Sequence, residues 1–94
     1  MAERIADARS VAILRSEQLE LIRVVLRAGH EIPKHQVDGE ITFLCIEGRF
    51  QFGTGNGDFQ LDPGDLIHLT RGEPHWVRAV HDASALLTIC RPKR

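Results

Sequence analysis

From residue 11 onward the chain is a series of short apolar runs separated by turn signals, the pattern of an all-β sandwich or barrel. Residues 11–14 form a first short run. Residues 19–27 are β-branched in the centre and end at Ala28-Gly29. Residues 41–46 are the most apolar stretch and close on Glu47-Gly48, and residues 49–52 alternate cleanly. The glycine-rich segment 53–58 predicts a hairpin loop, where positive φ costs little. Residues 59–61 lead into Asp62-Pro63-Gly64-Asp65, in which Pro-Gly suits the central positions of a type II turn. Strands are expected next at 66–69, 75–80 and 83–90, with a turn across 70–74.

Period two sorts these strands into faces. Ile41, Phe43 and Cys45 share one side, and Thr42, Leu44 and Ile46 the other. Ala85, Leu87 and Ile89 oppose Leu86, Thr88 and Cys90. An antiparallel sheet with one wet face should alternate apolar with polar, and these strands are apolar on both faces. The second face therefore needs a cover, and a homodimer is the economical one. Residues 11–14 are the candidate arm for pairing with the neighbouring chain.

Ninety-four residues make one small domain, read as an N-terminal arm over 1–10 and a barrel over 11–94. A domain this small buries limited apolar surface, which also favours an oligomer. The formal net charge of −1 gives no electrostatic case for nucleic acid or an anionic membrane. No apolar run approaches the ~20 residues of a membrane span. The charged N-terminus lacks a signal core, and the cysteine usage suits a reducing compartment, so the cytoplasm is expected. Cys45 and Cys90 each sit in an apolar stretch and read as buried free thiols.

Two stretches carry a more specific pattern. In the first, Gly29 is followed after five residues by His35, and Gly48 closes the segment. In the second, Gly64-Asp65, Gly72 and His75 recur at fixed spacing, with Pro74 just before the histidine. Together they resemble the paired motifs of the cupin superfamily, over nearly the whole chain from about residue 19 to 90. The resemblance implies a double-stranded β-helix, a jelly-roll barrel whose mouth carries a metal or ligand site.

Metal-binding cupins supply two histidines and a carboxylate from the first motif and one histidine from the second. This chain keeps His35 and His75. Val37 stands at the second histidine position, Ile41 at the glutamate position, Thr70 at a usual proline and Ala79 at a usual asparagine. Glu40 is one residue from the glutamate position and should face the other way. Two histidines are a poor metal site, since zinc takes three or four protein ligands and non-haem iron two histidines and a carboxylate. The resemblance thus extends at most to one divalent metal (iron, zinc, manganese or nickel) completed by His30, Gln36, His68 or Glu40, and otherwise to no cofactor.

Other candidates rank below the pair. Trp76 alternates with His75 and should face outward, into core or interface packing. Arg23, Arg49, Arg71 and Arg78 could hold an anion but more often pair with carboxylates. No serine, cysteine or lysine stands in a nucleophile context, and the glycines at 53–57 are not a phosphate cradle. The leading expectation is a small-molecule binding module with no catalytic apparatus. Ile41, Phe43 and Val77 would line an apolar cavity, and His35 and His75 would orient the ligand at its polar end. A metal-dependent dioxygenase or isomerase and a non-catalytic structural or regulatory dimer are the alternatives.

Overall fold

The computed structural model describes residues 10–92, and within them the chain forms nine strands and no helix. Among the described residues, no helix is long and apolar enough to cross a membrane. The arm expected over 1–10 lies outside this range except for Ser10, whose hydroxyl is bonded to Val25 N (2.8 Å).

The strands are β1 (Val11–Arg15), β2 (Leu19–Leu26), β3 (Glu31–His35), β4 (Glu40–Glu47), β5 (Phe50–Thr54), β6 (Gly57–Leu61), β7 (Leu66–Leu69), β8 (His75–Ala79) and β9 (Ala83–Cys90). They build two antiparallel sheets, ordered β1-β2-β9-β4-β7 and β3-β8-β5-β6. The jelly-roll barrel implied by the motifs is the architecture found.

The faces follow the period-two reading. Ile41 pairs with Ile89, Phe43 with Leu87 and Cys45 with Ala85 across β4 and β9, and this row faces inward. Phe50, Phe52, Val77 and Ala79 face it from the second sheet. Phe43 meets Phe50 edge-on (centroids 5.0 Å) and Phe52 at a tilt (5.2 Å), so the middle of the barrel is filled by aromatic packing.

Three expectations need correction. The segment before His35, where the pattern of apolar runs marks no strand, is the strand β3. Its Pro33 cannot donate to a ladder and is tolerated because β3 is the edge of its sheet. The hairpin loop is shorter than 53–58: Gly53, Thr54, Gly57 and Asp58 are paired in β5 and β6, leaving Gly55 and Asn56 as a two-residue connection. Cys45 is fully buried but Cys90 is exposed, because parity sends its thiol to the outer face. The Asp62–Asp65 turn is of type II as expected: Asp65 N donates to Asp62 O (2.9 Å) and Gly64 has φ +93°.

β1 is an edge strand on β2, with a bulge between Ala12 and Leu14. The outer face of its sheet carries Leu14 and Leu21 on one side and Leu44, Leu86 and Leu66 on the other. Leu14, Ile46 and Leu66 are 46%, 42% and 59% exposed.

Candidate functional site

At one end of the barrel β3 and β8 bring His35 and His75 together as directly paired residues. Their ring centroids lie 4.3 Å apart at 57°. A bulge at Pro33-Lys34 sets the register that places His35 there. His75 is buried and stacks flat on Phe52, with centroids 5.5 Å apart and planes 6° from parallel.

Both rings are oriented by backbone carbonyls. His35 Nδ1 lies 2.9 Å from Pro33 O, and His75 Nδ1 3.0 Å from Glu73 O. A carbonyl oxygen only accepts, so each Nδ1 carries a proton, which leaves Nε2 of each ring turned to the site. Burial pushes the His75 pKa below the ordinary imidazole value. The neighbouring His35 adds to this, while the Glu73 carbonyl and carboxylate oppose it. His75 is therefore neutral near pH 7.

The loops flanking the pair are stitched together. Gln36 Nε2 donates to Gly72 O (2.9 Å), Gly72 N donates to Val37 O (3.1 Å), and Arg71 Nε meets Asp38 Oδ1 (2.6 Å). A cleft of about 170 Å³, lined by Lys34, Thr54, Pro74 and Trp76 among others, reaches His75. Trp76 faces away from His75 across the strand, as expected, and its indole lies over Gly53, where any Cβ would collide with it.

The proposed recruits are not at the pair. His30 is exposed at the opposite end of β3, where its carbonyl accepts from Ala79 N (2.9 Å). Glu40 and His68 are on the outer face and bind each other (Oε2 to Nε2 2.8 Å). Gln36 is committed to Gly72. Val37 and Ile41, which stand at ligand positions, are apolar. Among the described residues no group of three or more His, Cys, Asp or Glu side chains is placed to hold a metal ion. Two imidazoles fall short of the three or four donors a resident metal takes, so the residues present do not fit one. Ile41, Phe43 and Val77, expected to line the cavity, do face inward and are 3%, 2% and 2% exposed, built into the packed core.

The sequence reading passed over Glu20. It shares parity with Ile22, Val24 and Leu26, so a carboxylate at a core-facing position was the available signal. Glu20 is buried beside Ile89 and clamped by Arg15 (2.7 Å) and Arg91 (2.8 Å), tying the edge strand and the C-terminal segment to the sheet. The hydrogen bonds from Arg91 and Arg15 hold its carboxyl below the ordinary value of 4.5. A depressed carboxylate stabilises the fold above its unfolded pKa, and that contribution is lost as pH falls through the folded value. His75 acts over a higher window: its depressed pKa costs stability as pH falls below 6.5, levelling off at its folded value. Urea midpoints should therefore decline in two stages on acidification. Asp62, whose carboxyl the Arg49 hydrogen bond also holds low, shares the lower stage, so Glu20→Gln should shrink that stage and leave the upper one, and an unchanged lower stage would refute the clamp's role.

Comparison with known proteins places this geometry in context. The cupin domain family matches residues 22–90. No curated protein matches the chain. Among solved structures, an RmlC-like cupin protein from Desulfovibrio desulfuricans is 31% identical, with a TM-score of 0.80 over 98% of this chain and 92% of that one. A cupin superfamily protein from Desulfitobacterium hafniense superposes at TM-score 0.87 with 14% identity, over 98% and 84% of the two chains. A conserved protein of unknown function from Streptococcus pyogenes gives 0.84 at 22% identity, over 90% and 75%. The last two show a shared fold.

Proposed function

The chain belongs to the cupin family, and from that premise we propose that it is a small-molecule binding module whose histidine pair orients a polar ligand without a resident metal. The observation that carries this reading is the facing of His35 and His75 at 4.3 Å, with each Nδ1 anchored on a carbonyl. The Nε2 acceptor of neutral His75, beside the His35 ring, suits a ligand that brings a hydrogen-bond donor, such as a hydroxyl or amide. The adjoining cleft of about 170 Å³ is below the roughly 300–1,000 Å³ of drug-sized sites, which limits the ligand to a small molecule.

A metal-dependent dioxygenase or isomerase would need a third metal ligand beside His35 and His75, and among the described residues Glu40 and His68 are paired with each other on the outer face. Elemental analysis of untagged protein, with His35→Ala and His75→Ala beside it, tests the reading. Substoichiometric metal in all three proteins is expected, together with loss from both variants of any small molecule that native mass spectrometry finds on the parent. Stoichiometric iron, zinc, manganese or nickel that both substitutions abolish would overturn it and favour a metal-dependent enzyme.

The outer face of the five-stranded sheet is proposed to pack on a second copy of the chain. Strands about 4.8 Å apart and residues about 3.3 Å apart give a face of roughly 20 by 25 Å, so two copies would bury about 1,000 Å², the lower bound for a specific interface. Leu21, Leu44 and Leu86 would lie near its middle, and a twofold axis makes such a face complementary to itself. Sedimentation velocity should give a dimer that Leu86→Glu converts to a folded monomer; a monomeric parent at micromolar concentration would refute it.

A further inference from the structure

A second cleft opens along the seam where the two sheets fail to meet. β6 is the edge of one sheet and β7 the edge of the other. Between them lies a space of about 430 Å³, within the range of small-molecule sites. Its floor reaches the core at Leu61 and Leu69, which are 5% and 2% exposed.

Phe59 shows that the seam is open. It pairs with Phe52 across β5 and β6, so both side chains stand on the inner face of the sheet. Phe52 is 1% exposed and Phe59 is 43% exposed. An inward-facing aromatic ring is left in solvent because β7, four residues long, does not cover it. Ile67, inward-facing on β7 beside Phe43, forms the opposing wall.

The charges lining the cleft have one sign. Asp65 stands at one end and Glu73 towards the other, and among the described residues no lysine or arginine lines it. His68, at the rim, is turned to Glu40. Asp65 Oδ2 is taken by Asp62 N (2.8 Å). Glu73 is half-buried, so its carboxylate is less screened, and among the described residues its side chain takes a long bond from the Thr70 hydroxyl (3.3 Å).

We propose that the β6–β7 seam binds a small organic cation, its ammonium group against Glu73 and its apolar body between Phe59 and Ile67. The carboxylate supplies a charge-assisted hydrogen bond, and the Phe59 face attracts the cation through its ring quadrupole. This cleft is separate in its chemistry from the histidine pair, which offers imidazole nitrogens and no carboxylate.

Nitrogen-15 NMR titration of the full chain tests it, with phenylethylammonium as probe and the isosteric phenylpropionate as its anionic counterpart. Phenylethylammonium should move the amide signals of Phe59, Ile67 and Glu73, and phenylpropionate should not. Glu73→Gln leaves the backbone carbonyl that holds His75 and should weaken binding about tenfold or more. Phe59→Ala, at a largely exposed position, should weaken it as well, while His35→Ala should not. Equal response to the anion, no response at millimolar cation, or unchanged affinity in both Glu73→Gln and Phe59→Ala would overturn the proposal. Loss of cation binding in His35→Ala would overturn it too, by assigning the ligand to the histidine pair.

Discussion

Gly48→Ala is expected to destabilise the barrel by about 2–5 kcal/mol, the sum of a left-handed backbone at roughly 1–2 and forced overpacking at roughly 1–3. Gly48 has φ +78°, and it links β4 to β5 where the chain passes from one sheet to the other. A Cβ there would strike the Asp82 carbonyl oxygen and lie 2.8 Å from Ala83 Cα. Both obstacles belong to backbone, and Ala83 is fully buried at the start of β9, so neither can swing aside as a side chain would. For a chain of this size the total stability is about 5–14 kcal/mol, so the substitution removes a large share. Thermal unfolding should show a midpoint lowered by roughly 8 °C or more. Gly55→Ala is the control, since nothing lies within 4 Å of its added Cβ. Equal midpoints for the two variants would mean that the β4–β5 crossing is far softer than its contacts indicate.

Gly48 also marks how much the sequence could reveal. Its place in the first motif, with Gly64 and Gly72 in the second, carried the fold, because positive φ at fixed spacing is a backbone requirement that residue type reports directly. Strand faces were equally legible, since parity is a property of the chain itself and Glu40 and Ile41 do face opposite ways. The site was less so. That His35 and His75 meet depends on the pairing of β3 with β8, and β3 hides behind an edge proline. The commitment of Glu40 to His68 and of Gln36 to Gly72 is decided by partners 28 and 36 residues away. The supposed cavity wall of Ile41, Phe43 and Val77 was correctly sorted as inward-facing. Whether such a wall encloses space or packing depends on how closely the sheets approach, which periodicity does not encode.

Phe52→Ala is the second large effect, and it joins the packing to the histidine pair. Phe52 is 1% exposed, tilted against Phe43 and stacked on His75. Removing a buried phenylalanine ring costs about 3–5 kcal/mol in lost transfer free energy and residual cavity. The same ring forms one wall of the environment that desolvates His75, and desolvation is the leading cause of the lowered His75 pKa. Water entering the vacated space should therefore let that pKa climb back towards 6.5, while the bond from His75 Nδ1 to Glu73 O keeps the ring in place. Chemical denaturation and NMR titration of the imidazole read the two effects separately. Phe52→Leu keeps most of the volume but loses the flat stack, so it should recover much of the stability and less of the pKa depression. If Phe52→Ala lost stability with the His75 titration unmoved, the ring would be a core residue only, and the neutrality of His75 would rest on its burial from other sides and on His35.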